Sequence, residues 1–126
     1  FSQFSQILLE RNTNFATFQG AIELTYVSFL LKCDGAIPGL GNLIPKEFVT
    51  LFALSQEGKF ADAEKVQVEI NAINKVFNQV GGIVAIKYAL SLLNICSHRA
   101  TKPFPELNEP QKQLISETLC QYQILT

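Results

Sequence analysis

The chain has no methionine, not even at its first position, Phe1. This points to a processed, excised or partly recorded polypeptide. It has one histidine, His98, which supplies neither a catalytic triad nor a metal site. Its three cysteines, Cys33, Cys96 and Cys120, are odd in number, far apart and outside any metal-ligand spacing. They are expected to be reduced, mostly buried thiols, as in a reducing cytosol. No apolar run approaches the ~20 residues that a spanning helix needs, and no charged segment followed by an apolar one opens the chain, so neither membrane nor secretion is indicated. A basic stripe is missing too, which leaves nucleic acid without a footing. What remains is ordinary: 126 residues, 48% hydrophobic, formal net charge −1, enough for one domain with a core.

The most informative stretch runs from Cys33 to Pro45, through Gly35, Pro38, Gly39 and Gly41. It reads as a short buried strand, a glycine-rich turn and a helix start. Glycine opens backbone angles closed to other residues, and Pro45 suits a first helical position, where an N–H would have no intrahelical partner. Either a tight connection or a close approach to a ligand explains such a turn.

Around it, Ser2 to Arg11 fits a helix stopped by Asn12-Thr13-Asn14, and Phe15 to Gly20 a strand. Ala21 to Lys32 fits a helix buried on most of its face through Ile22, Tyr26, Phe29 and Leu30. Strand, helix, strand with short connections is a βαβ unit, hence two parallel neighbouring strands. Helices follow over Pro45 to Glu57, Phe60 to about Val80, Ile83 to Ile95, and Gln111 to about Ile124 with Asn108 as N-cap. Two strands do not make a stable sheet, and parallel strands need neighbours. The first half therefore reads as the closing segment of a larger parallel sheet or barrel.

Several motifs in this order resemble the C-terminal part of the dihydrodipicolinate synthase and N-acetylneuraminate lyase family, class I aldolases on a (β/α)8 barrel. They are Phe18-Gln19-Gly20, Asp34-Gly35-Ala36-Ile37-Pro38-Gly39-Leu40-Gly41-Asn42 leading to Pro45, Glu57-Gly58-Lys59-Phe60-Ala61-Asp62-Ala63, Gly82 to Tyr88 with Lys87, and Pro103-Phe104-Pro105. The resemblance implies an α/β chain, mostly α by content: a C-terminal fragment of a TIM barrel, its last two βα units at residues 1–58, followed by a C-terminal helical domain at 59–126. A complete barrel takes ~250 residues.

Function in such barrels sits at the C-terminal ends of strands. By resemblance, Gly20 lets backbone approach a bound keto acid, against the alternative of a helix-initiating turn. Ile37 presents its main-chain carbonyl to the Schiff-base centre, against a plain core residue. Glu23 matches a position that contacts the polyhydroxy tail of substrate in the sugar-acid lyases, against a solvated helix face. Two departures leave the substrate open: Ile22 stands where that subgroup has a carboxylate, and Gly39 where it has a hydroxyl. An Asn-Pro pair near Gly82 is missing, which disfavours diaminopimelate-pathway activity.

The family's Schiff-base lysine must be partly desolvated inside the barrel, and by resemblance it lies upstream of Phe1. None of the lysines here reads as a strand end; Lys87 is a structural lysine with its stem on apolar surface and its amine on a polar partner. The expected function is therefore the C-terminal portion of a pyruvate-dependent aldolase or lyase acting on a keto acid, weakly a 2-keto-3-deoxy sugar acid. It holds no catalytic residue of its own and is inactive alone. No cofactor or metal is expected. Pyruvate or a related keto acid, a homo-oligomeric state and the cytoplasm are. The alternative is a non-catalytic helical binding or assembly module using the Val66-Ile70-Ile73-Phe77 stripe and the Ile83-to-Ile95 helix. A fragment folding by itself would leave an open strand edge and self-associate.

Overall fold

A computed structural model describes residues 2–12 and 14–125; of the turn expected at 12–14, Thr13 lies outside the described residues. The elements in order are α1 (Ser2–Glu10), β1 (Phe18–Gln19), a 3-10 turn (Ile22–Leu24), α2 (Thr25–Leu30), β2 (Gly35–Ala36), a second 3-10 turn (Gly39–Asn42), α3 (Pro45–Gln56), α4 (Phe60–Gln79), α5 (Ile83–Leu92) and α6 (Glu109–Gln121). They divide into two compact units. The first holds residues up to Gly41 and Pro45–Asn71, the second Asn42–Ile44 and Ala72–Thr126.

In the first unit β1 and β2 pair in parallel, Phe18 opposite Gly35 and Gln19 opposite Ala36. The connecting 3-10 turn and α2 complete the βαβ unit that the pattern of strand and helix demands. Both strands are shorter than the sequence suggests; before β1 the Thr17 N–H goes to the Asp34 carboxylate rather than to a backbone carbonyl. α2 is also less covered than its apolar residues imply: Thr25, Ser28 and Phe29 are buried, whereas Val27, Leu30 and Leu31 are exposed. α2 packs on α3, where Phe29 meets Phe52 edge to face with ring centroids 5.0 Å apart, a favoured aromatic geometry. α3 begins at Pro45 and buries Phe48, Leu51 and Ser55 along one face. It closes on Gly58 at φ 73°, with the Lys59 N–H returning to the Leu54 carbonyl at 3.0 Å, a Schellman-type end.

The glycines of the central turn serve space rather than unusual angles. A Cβ on Gly35 would lie 2.9 Å from the Phe18 ring, and one on Gly41 3.1 Å from Pro38; neither has a positive φ. Left-handed glycine occurs instead at Gly81 (φ 113°) and Gly82 (φ 57°), where α4 stops and α5 starts.

In the second unit α5 packs on α6, and Val84, Ala85, Ala89, Leu90, Ile115 and Leu119 are buried. The expected N-cap of α6 is present as a reciprocal box: the Asn108 side chain accepts from the Gln111 N–H at 2.9 Å, and the Gln111 side chain accepts from the Asn108 N–H at 2.9 Å. α5 ends three residues before Ile95, which is exposed, as is Ile83. The cysteines divide: Cys33 is buried, but Cys96, in the segment after α5, and Cys120, in the last turn of α6, are exposed, against the expectation of mostly buried thiols. Lys87 is half-buried as expected, yet its ammonium finds no hydrogen-bonding or charged partner among the described residues.

Candidate functional site

The two paired strands have chemically different ends. At their N-terminal ends Asp34 accepts from the Thr17 N–H (2.7 Å) and the Thr17 hydroxyl (3.1 Å), and also pairs with the Arg11 guanidinium. Arg11 donates further to the Thr17 hydroxyl at 2.6 Å and the Lys32 carbonyl at 2.5 Å. The Thr17 N–H foremost, with the Thr17 hydroxyl and Arg11 adding to it, holds the Asp34 carboxyl below the usual aspartate range against the opposing effect of desolvation. The buried Cys33 thiol lies 3.1 Å from the Thr17 carbonyl. This end is a knot of satisfied polar groups.

The C-terminal ends are open. Ile37 donates its N–H to the Gln19 carbonyl at 2.9 Å, so Gly20 and Ile37 leave the sheet side by side. A Cβ on Gly20 would meet nothing within 4 Å, and Ile37 is 73% exposed, so it is not a core residue in this chain. Glu23 is exposed in the 3-10 turn that follows β1, and Gly39 is exposed at the start of the turn that follows β2. All four anticipated positions thus lie on the segments leaving the C-terminal ends of the paired strands.

Two glutamines that motif reading passed over position these segments. Gln19, buried in β1, accepts from the Ala21 N–H at 2.8 Å and donates to the Ser28 hydroxyl at 2.9 Å, tying the turn at Gly20 to α2. Gln67 of α4, also buried, inserts its amide into the start of α2. It accepts from the Tyr26 N–H at 2.8 Å and donates to the Ile22 carbonyl at 3.0 Å. Those two groups would bond each other in a continuous α-helix; with the amide between them, the chain enters α2 as a 3-10 turn, a known effect of a side chain in the ladder. The signal was available. Ala63, Gln67, Ile70, Asn74 and Phe77 recur at alternating spacings of four and three and all are buried, so a polar side chain in that register must find a polar partner.

None of the eight lysines can serve as a strand-end amine in these two strands: six are exposed, and Lys87 and Lys112 are half-buried on α5 and α6. Among the described residues no three His, Cys, Asp or Glu side chains group as a metal site, and no helix is long and apolar enough to cross a membrane.

Parallel strands joined by a helix, with a polar knot at one end and open backbone at the other, are a βαβ unit of the α/β class. Comparison with known proteins gives the family. The pattern of the Dihydrodipicolinate synthetase family matches residues 1–122, and the chain belongs to that family. It is similar to the 4-hydroxy-tetrahydrodipicolinate synthase of Methanococcus aeolicus, 29% identical over 111 residues, which are 87% of this chain and 38% of that protein. It also resembles an uncharacterised DapA-like lyase of Thermoplasma acidophilum, 28% identical over 118 residues, 92% of this chain and 40% of the relative. Among solved structures, dihydrodipicolinate synthase from Bacteroides thetaiotaomicron superposes with TM-score 0.86 at 25% identity, covering 94% of this chain and 42% of that one. N-acetylneuraminate lyase from Fusobacterium nucleatum, solved with pyruvate, shares the fold with TM-score 0.89 at 21% identity, over 97% of this chain and 41% of the other. The chain therefore spans about two fifths of the length of the relatives it matches.

Proposed function

We propose that this chain is the C-terminal portion of a Schiff-base-forming, pyruvate-dependent aldolase or lyase. It supplies the last two βα units of a TIM barrel at residues 1–58 and a C-terminal helical domain at 59–126. The observation that carries the reading is the side-by-side exit of Gly20 and Ile37 at the open ends of two parallel strands, in a chain of this family. On this reading Gly20 leaves room for a keto acid, Ile37 offers its main-chain carbonyl to the reacting centre, and Glu23 and Gly39 border the remainder of the substrate. With Ile22 and Gly39 in place of a carboxylate and a hydroxyl, the substrate assignment goes no further than a keto acid, with a 2-keto-3-deoxy sugar acid preferred. No lysine stands at the C-terminal end of either strand and six of the eight are exposed, which supports an amine contributed from outside this chain, because an ammonium in water stays protonated at neutral pH and is a poor nucleophile. The complete enzyme is a cytoplasmic homo-oligomer on this reading.

The alternative of a partner-binding helical module loses its main support. Ile70, Ile73 and Phe77 of the α4 stripe are 0%, 3% and 1% exposed, so they are already spent in the core.

The test is borohydride trapping with pyruvate, run on this polypeptide and on the longest natural protein that contains it, and read by intact mass. A pyruvate adduct on the longer protein alone is expected. An adduct on this chain would move a lysine of this chain into the catalytic role, and an adduct on neither would overturn the aldolase reading.

A further inference from the structure

A cavity of about 480 Å3 lies within the second unit, between α5, α6 and the segment that joins them. None of its lining residues belongs to the strand-end segments, and the proposed aldolase chemistry does not use it. Its apolar wall is formed by Val84 of α5 and by Phe104 and Leu107 of the joining segment. Its polar wall carries Tyr88, Arg99 and Lys112. Lys112 bonds Glu109 at 2.6 Å. The Arg99 guanidinium, by contrast, has no ion pair or hydrogen bond among the described residues, and neither has the Tyr88 hydroxyl. An arginine fork without a partner, in a wall that also carries a phenol, matches the two oxygens of a carboxylate.

Size and charge narrow the ligand further. A cavity of this volume takes an organic molecule rather than a bare ion, and the apolar wall calls for a hydrocarbon body. Glu106 and His98 also line the cavity. Glu106 adds a negative charge to the lining that works against a dianion, so a single carboxylate fits best.

We propose that this cavity binds a small organic monocarboxylate with an aromatic or branched apolar body, its carboxylate on Arg99 and its body against Val84, Phe104 and Leu107. The proposal is independent of the aldolase reading, since it needs neither a Schiff base nor the strand ends.

The experiment is an amide-resonance titration of the protein with 3-phenylpropanoate, with 3-phenylpropanamide as the uncharged control. Saturable shifts confined to residues of α5, the joining segment and α6 are expected. The amide should bind about tenfold or more weakly, as should the acid to Arg99→Gln. Arg99 is exposed and unpartnered, so this variant keeps its fold, which unperturbed shifts elsewhere verify. Glu106→Gln should bind the acid severalfold more tightly. Equal binding of acid and amide, full affinity in Arg99→Gln, weaker binding in Glu106→Gln, or no saturation by about 10 mM would each overturn the proposal. Shifts centred on Gly20 and Ile37 would overturn it as well, by placing the carboxylate at the strand ends.

Discussion

Replacing Gln67 by leucine removes the amide that stands between the Tyr26 N–H and the Ile22 carbonyl while keeping similar volume. Two hydrogen bonds to the α2 entry are lost, at 2.8 and 3.0 Å in the native chain, and a third to Asn71 at 2.8 Å. A typical net contribution is ~1 kcal/mol per bond, rising to about 1–3 kcal/mol where the abandoned partner stays buried. Tyr26 and Ile22 are half-buried, which places the expected cost at about 2–3 kcal/mol. With a urea slope of about 1–3 kcal/mol/M, the denaturation midpoint should fall by roughly 0.7–3 M. Gln67→Glu gives a sharper test. At neutral pH one carboxylate oxygen can accept from Tyr26 while the other faces the Ile22 carbonyl and repels it. Protonation restores a donor. Burial and the facing carbonyl raise the folded value of this carboxyl, so the glutamate variant should lose stability at pH 7 and recover part of the deficit, relative to wild type, as the pH falls towards the unfolded glutamate value of about 4. A leucine variant within ~0.5 kcal/mol of wild type would refute the role assigned to this amide.

Two further outcomes follow from single positions. Gly81→Ala should destabilise more than Gly58→Ala, because Gly81 has φ 113° and a Cβ there would lie 2.8 Å from Val84, whereas Gly58 has φ 73° and its nearest contact is 4.0 Å away; the left-handed position alone costs about 1–2 kcal/mol, and equal midpoints for the two variants would contradict the steric argument. The Asp34 carboxyl is held below its ordinary value in the folded chain, so its contribution is complete above the unfolded aspartate value near about pH 4 and is lost as the pH falls through the lower folded one. The melting temperature of wild type should exceed that of Asp34→Asn at pH 7, and the gap should close on acidification below about pH 4; a gap that widens there would reverse the sign.

Helix positions were legible because their signals are local. Pro45 and Gly58 bracket α3, the Gly81-Gly82 pair separates α4 from α5, and Asn108 with Pro110 opens α6. Strand lengths were not, because β1 and β2 are held by pairing between residues distant in the chain, and a side chain such as Asp34, which takes the Thr17 N–H, can end that pairing. Burial on α2 was misjudged for a related reason: Leu30 and Leu31 satisfy helical periodicity, but periodicity names a face without saying whether anything covers it. The backbone of the candidate site was visible in its glycines. The glutamines that position it were not, because Gln19 and Gln67 belong to no motif and reveal themselves only as polar residues in apolar register.

The open space at Gly20 has a practical corollary. With no atom within 4 Å of the missing Cβ and no positive φ to forbid one, this position is a vacant attachment point on a braced scaffold. Gln19 and Ser28 fix the backbone from behind, so a side chain introduced at residue 20 would add new chemistry at the strand ends without asking the fold to rearrange. Diversifying that one codon is a direct way to vary reactivity while leaving the knot of Arg11, Thr17 and Asp34 to guard stability.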